Sequence, residues 1–262
     1  MEKENTEERT ERVSHYCEKN CIDDIVFDLD GTLVDTDSYF KEEIVTGSNL
    51  ISWQLNTYGY KLGEEVYSNA VKIHKEKENP TLVDVITLSA LERYVTENSL
   101  EEIYTKRKEG IEVFIKRYFK DFYKKSPELF LNTLEVINTF SNINRRISTH
   151  SIAQSDWTEI KVKEIKKQYL CKYGSEIDIP FYTTDINSKK DEVAWRYSQR
   201  NLRFDFVKSL IVGDDYYADI LPSYNLGCRN LVYINRGGYL PTDIPEDIVV
   251  VKDIGDIFDH MY

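Results

Sequence analysis

The segment from Ile22 to Thr36 reads IDDIVFDLDGTLVDT, a compact apolar run that ends in Asp30-Gly31-Thr32. A short apolar run closed by glycine is the mark of a buried strand running into a turn. Asp28 and Asp30 stand two apart on that extended run, so their carboxylates point the same way. Free aspartates titrate near ~3.9, so both ionise and repel unless a cation lies between them or one is tuned upward. A hard cation with oxygen ligands, most naturally Mg2+, resolves the conflict. Asp35 and Thr36 read instead as a cap for the helix that follows.

Outward from this strand the texture of the 262-residue chain changes twice. Residues 1–20 form a charged N-terminal arm, helical in part or frayed. Residues 38–140 carry apolar side chains at three- and four-residue spacing, as in Ile111, Phe114, Ile115, Tyr118, Phe119 and Phe122, so this block is helical. After Arg146, short apolar runs alternate with helical patterns. Ser155-Asp156 opens a helix through Trp157, Ile160, Ile165 and Tyr169 that closes at Gly174. Strands are expected at Phe181–Thr184, Phe206–Val212, Leu231–Ile234 and Ile248–Val251, with a helix over 190–200. Such alternation implies an α/β fold, a Rossmann-like parallel sheet with helices on both faces. The core is then 21–37 plus 141–262, and 38–140 is an inserted all-α cap.

Lys and Arg number 34 against 46 Asp and Glu, a formal net charge of −12, which speaks against a dedicated nucleic-acid binder. A small anionic ligand stays open, because a bound cation reverses the field in one pocket. No run of about 18 uncharged apolar residues is present to span a membrane, and the first twenty residues show no apolar leader. Cys17, Cys21, Cys171 and Cys228 lack the pairing of a zinc site and read as reduced thiols of a cytoplasmic protein.

Three further segments fall at expected strand ends, where open parallel sheets bind ligands. They are Ile147-Ser148-Thr149-His150-Ser151, Asn187-Ser188-Lys189-Lys190-Asp191, and the acidic run Gly213-Asp214-Asp215-Tyr216-Tyr217-Ala218-Asp219. Together with DIVFDLDGTLVDT, and in this order, they resemble the four motifs of the haloacid dehalogenase superfamily, whose members are mostly Mg2+-dependent phosphotransferases. The resemblance covers residues 22–36 and about 145–252.

That resemblance implies roles. Asp28 would be the nucleophile that becomes an aspartyl phosphate, and Asp30 the general acid/base. Thr149 would hold the transferring phosphoryl group, with Ser148 and Ser151 as neighbours easily confused with it. Lys189, favoured over Lys190, would neutralise the nucleophile and a phosphate oxygen. The metal would rest on Asp28, Asp30 (through its backbone carbonyl), Asp214 and, as second candidate, Asp215, while Asp219 would serve as cap and loop anchor. His150 stands where relatives often carry Asn or Gly, and reads equally as a hydrogen-bonded structural histidine or a substrate contact.

The expectation is a phosphatase acting on a small phosphorylated metabolite. A phosphomutase of the β-phosphoglucomutase kind is the nearest alternative, although Phe40 stands where those relatives carry His. A silent binding protein on the same fold is another. Lys106 to Lys125 holds eight basic residues that read mainly as a solvated helix face.

Overall fold

The computed structural model describes residues 6–57, 61–76, 82–185, 188–238 and 240–262. The first five residues of the N-terminal arm, and Asn187, lie outside them. One unit comprises residues up to Asp35 and from Ser126 to Tyr262; the other is Thr36–Lys125.

The first unit is built on six strands: β1 (Asp24–Phe27), β2 (Arg146–Ile152), β3 (Phe181–Thr184), β4 (Ser209–Gly213), β5 (Asn230–Ile234) and β6 (Val249–Val251). All pairs are parallel, in the order β3-β2-β1-β4-β5-β6. This α/β architecture is the doubly wound sheet that the sequence predicts. Strand alternation divides the apolar side chains between two faces. Ile25, Phe27, Leu210, Val212, Val232 and Ile234 join one buried cluster. Val26, Ile211, Leu231 and Tyr233 join the other.

On the first face lie α1 (Thr6–Lys19), α6 (Thr133–Asn142) and α7 (Ser155–Tyr173), which contribute Val13, Cys17, Val136, Ile137, Phe140, Val162 and Ile165. On the second lies α8 (Glu192–Leu202), contributing Trp195. The short α9 (Leu221–Asn225) follows β4, with Pro222 at its first turn. α7 ends at Gly174 in the left-handed conformation, as expected.

The N-terminal arm is therefore not frayed over its described length, because the spacing of Val13 and Cys17 buries one face of α1. The inserted block is also shorter than 38–140. α6 belongs with the sheet, since Val136, Ile137 and Phe140 are fully buried against it. Ahead of β4, Phe206–Lys208 forms a 3-10 turn rather than strand, held by the Asp205 carboxylate accepting from Val207 N at 3.1 Å. The polar start of β2 is explained by Arg146, whose Nε donates to Asp24 Oδ1 on β1 at 2.6 Å.

The second unit is helical: α2 (Thr36–Leu50), α3 (Lys61–Glu76), α4 (Val83–Glu97) and α5 (Glu101–Tyr118), with 3-10 turns at Ser52–Leu55 and Phe119–Lys124. α2 packs on α3, α3 on α4 and α4 on α5. Ile44, Leu62, Val66, Ala70, Ile86, Ala90, Leu91, Ile111 and Ile115 are buried. The basic side chains from Lys106 to Lys125 are exposed, several paired with acids such as Glu102, Glu92 and Asp121.

Candidate active site

Asp28 sits one residue beyond β1, and its N–H still donates to Val212 O on β4 at 2.8 Å. The chain then turns sharply, with Leu33 N and Val34 N both donating to Leu29 O at 3.0 Å. Gly31, at φ +77°, carries this turn. Thr32, fully buried, donates from Oγ1 to Asp214 Oδ1 at 3.0 Å. The exposed Arg236, in the loop after β5, donates to the carbonyls of Gly31 and Thr32, and its guanidinium lies 3.6 Å from the centroid of the Phe130 ring.

β4 delivers Gly213 and Asp214 to the same end of the sheet, and a single π-helical turn follows at Tyr216–Ile220. Asp215 caps that turn, its Oδ1 accepting from Tyr217 N at 2.8 Å and Ala218 N at 3.0 Å. Asp219 points inward and is buried, its Oδ2 accepting from Asp215 N at 3.1 Å. Carboxylate oxygens of Asp28, Asp214 and Asp219 lie within 4.8 Å of one another. The expected roles of Asp215 and Asp219 are thus exchanged in part. Asp215 is engaged by backbone amides as a cap, and Asp219 joins the acidic group while also anchoring the loop.

The lysine assignment shifts by one residue. Lys189 is exposed, whereas Lys190 is buried with its Nζ 2.6 Å from Asp28 Oδ1, 2.5 Å from Asp219 Oδ1 and 2.6 Å from His150 O. Asp28 Oδ1 and His150 O accept hydrogen bonds from the ammonium, and Asp219 adds an ion pair. Lys190 directly precedes Asp191, the N-cap of α8, whose Oδ1 accepts from Val193 N and Ala194 N. The member of the Lys-Lys pair that turns inward is thus the one next to the cap.

On β2 the hydroxyl that reaches the site is that of Ser151. Thr149 pairs with Phe27, one residue short of Asp28, and is fully buried, its Oγ1 without a hydrogen-bond partner among the described residues. Ser151, two residues on along the same face, donates to Asp30 Oδ2 at 2.8 Å. Ser148 is buried in β2. The His150 ring is packed away from solvent: Nε2 lies 2.9 Å from Thr184 Oγ1, and Trp195 stands edge-on with centroids 4.4 Å apart. Burial, aided by the Lys190 charge, holds its pKa well below the ordinary histidine range, so the imidazole is neutral. Its contribution to the site is a backbone carbonyl.

Asp30 does not join the three-carboxylate group through its side chain. Both of its carboxylate oxygens lie 2.6 Å from Nζ of Lys161, a fully buried lysine on α7. Sequence reasoning passes over Lys161, although its position on the buried face of α7, between Trp157 and Ile165, marks it out.

The electrostatics favour a cation. Burial is the largest cause raising the pKa of Asp28 well above the carboxylate range, opposed by Lys190 and reinforced by Asp219, Asp214 and Asp30. Asp214 is pushed up to about 7, first by burial and then by Asp219, against the Thr32 hydrogen bond and Arg236. Asp219 is raised by burial, with Lys190 opposing. One ammonium cannot balance three clustered carboxylates, two of them buried and Asp214 half-buried, and hard oxygen donors of this kind fit a divalent cation such as Mg2+.

No protein-family model and no curated protein matches the chain. Solved structures do. A haloacid dehalogenase-like family hydrolase from Xanthomonas campestris aligns at a TM-score of 0.61 and 12% identity, covering 91% of this chain and 94% of that one. A chain assigned as a HAD-hydrolase, YfnB from Bacillus subtilis, bound to magnesium, aligns at 0.58 and 13%, covering 92% and 98%. A HAD phosphatase from Thermococcus onnurineus aligns at 0.55 and 13%, covering 91% and 97%. Dehalogenases are also among the matching structures. Identities this low speak to architecture alone. With a six-stranded parallel sheet, four motifs at its strand ends and a helical insertion after the first, the chain has the fold of the haloacid dehalogenase-like hydrolases.

Proposed function

We propose that this protein is a Mg2+-dependent phosphoric monoester hydrolase that acts in the cytoplasm on a small phosphorylated metabolite through an aspartyl phosphate on Asp28. The observation that carries the reading is the cluster of Asp28, Asp214 and Asp219, the first and last paired with the buried Lys190, with the Asp30 carboxylate held by Lys161 two residues from Asp28. The magnesium bound in the Bacillus subtilis structure supports the choice of metal. The four cysteines are free, in keeping with a reducing compartment, and no described helix is long and apolar enough to cross a membrane.

Asp28, Asp214 and Asp219, with the backbone carbonyl of Asp30, are the groups that would hold the ion. When bound, Mg2+ would neutralise phosphate charge beside the nucleophile. The Asp28 carboxylate then attacks phosphorus in line with the departing alcohol, splitting one difficult displacement into two easier ones. Lys190 balances the charge of Asp28 and holds it in place. Asp30 gives a proton to the leaving oxygen and later takes one from the attacking water. Ser151 is the hydroxyl of β2 placed to steady that group. A carboxylate kept apart for proton transfer suits ester hydrolysis better than dehalogenation, in keeping with the family resemblance of this position.

The test is phosphate release from a panel of phosphorylated metabolites and an aryl phosphate, with Mg2+, with chelator, and with Asp28→Asn. Turnover that needs both metal and Asp28 supports the reading, and metal-independent turnover overturns it. Conversion of glucose 1-phosphate to the 6-phosphate without release would identify a mutase instead. Against that outcome, Phe40 stands where the mutase relatives carry His, and its ring packs on Phe122 with centroids 5.0 Å apart.

A further inference from the structure

We infer that Lys161 is the positioning residue of Asp30, fixing the plane of its carboxylate for proton transfer to and from the ester oxygen; this rests on the phosphatase reading above. Lys161 lies on α7 with its side chain wholly removed from solvent. Lysine is almost never fully buried unless paired, because desolvating an ammonium is costly. Here the Nζ lies 2.6 Å from each oxygen of Asp30, a two-point contact that sets the tilt of the carboxylate as well as its place. The centroid of the Trp157 ring, one helical turn earlier, lies 3.9 Å from the same Nζ, a cation–π contact that adds a second hold on the ammonium. Ser151 adds a third hold through Oδ2.

The arrangement is expensive as packing alone. An apolar side chain of similar volume at position 161 would fill the space beside Trp157 without the desolvation cost. Asp30, with a side chain 24% exposed, stands next to Gly31, a residue that leaves the local backbone free to turn. A proton-transfer group displaced by about 1 Å can lose ~10²-fold in rate, so a rigid two-point hold on this carboxylate matters more than one on a spectator. Among the described residues Asp30 is the carboxylate that pairs with Lys161, so the lysine acts through Asp30.

Leaving-group dependence distinguishes this role from support of the fold. For each variant, kcat/KM is measured with an alkyl phosphate, glycerol 3-phosphate, and with 2,4-dinitrophenyl phosphate, whose leaving group departs without a proton. Lys161→Met is expected to lower kcat/KM for the alkyl ester about 10²-fold, the usual size of an acid contribution, and for the dinitrophenyl ester less than about threefold. Asp30→Asn should show the same pattern, and the double variant should be no worse than Asp30→Asn alone. Lys161→Gln, which keeps one donor toward the carboxylate, should fall between, and it replaces Lys161→Met if that variant fails to fold by circular dichroism. Equal losses on both esters, no loss on the alkyl ester, or multiplied losses in the double variant would overturn the proposal. If the wild type hydrolyses neither these esters nor any member of the metabolite panel, the phosphatase reading fails separately. The pair is then read from Tm: Asp30→Asn costing less in the Lys161→Met background than alone keeps the positioning contact, and equal costs remove it.

Discussion

A Cβ on Gly31 would lie 2.2 Å from Oδ2 of Asp214, so the bare glycine is what admits that carboxylate to the acidic group. Gly213 stands in the same relation to Asp219, at 2.4 Å. Gly31→Ala and Gly213→Ala should each weaken Mg2+ binding at least tenfold in a calorimetric titration, because each displaces a carboxylate that, in the function proposed above, would hold the ion. Gly174→Ala, also at positive φ but with open space around it, should cost only the strain of a left-handed alanine, about 1–2 kcal/mol, and leave the metal alone.

Lys190→Ala should abolish turnover by about 10² or more, since it removes the counter-charge of both Asp28 and Asp219, while Lys189→Ala should act within about twofold. Steady-state phosphate release on the two variants decides the matter. Equal effects would place the adjacent lysines on the same footing and contradict the geometry.

Asp219→Asn should lower metal affinity far more than Asp215→Asn, because Asp219 lies in the acidic group and Asp215 is occupied by two backbone amides. Asp215→Ala should instead appear in Tm, at roughly 1 kcal/mol for a lost cap.

Two hydroxyls on β2 should separate cleanly. Thr149→Val removes a buried oxygen that has no hydrogen-bond partner among the described residues and should be neutral or stabilising by up to about 1 kcal/mol in denaturant melts. Ser151→Ala frees one oxygen of Asp30 and should lower kcat with little change in Tm.

The pH response of the metal effect follows from Asp214. Its folded pKa of about 7 lies above that of the unfolded chain, so between about pH 4 and 7 the folded protein keeps a proton that the unfolded chain has lost. Metal-free stability from this group therefore falls as pH rises through that window and levels off above it. Neutral buried His150 has the opposite slope below about pH 6.5, but contributes equally with and without metal. Mg2+ needs the deprotonated site, so the Tm gain it brings should be small near pH 5 and full above pH 7. A gain independent of pH would contradict the assignment.

The sheet was legible because the unbroken apolar runs Ile25-Val26-Phe27 and Leu210-Ile211-Val212, buried on both faces, leave a strong pattern, and because Asp28 and Asp30 follow the first at once. The candidate site was legible as four segments of chain, and not residue by residue within them. Lys189 and Lys190 differ in which of them adjoins the Asp191 cap of α8, and Asp215 and Asp219 only in a π turn that no spacing rule announces. Thr149 and Ser151 share a strand face, so the choice between them depends on register against Phe27. The end of the inserted block was misread because the apolar stripe of α6 looks the same whether it covers a sheet or a neighbouring helix.

The central place of β1 also has a kinetic side. Asp24 pairs with Arg146 on one side and Ser209 on the other, so the middle of the sheet cannot close until distant stretches of chain have met. Long-range pairing of this kind slows folding, because loop entropy is lost before contacts compensate for it. The groups drawn together at 28, 151, 190, 214 and 219 come into register only after that closure. Mg2+ should therefore leave the refolding rate nearly unchanged and slow unfolding, acting as a brake on opening rather than as a seed for assembly.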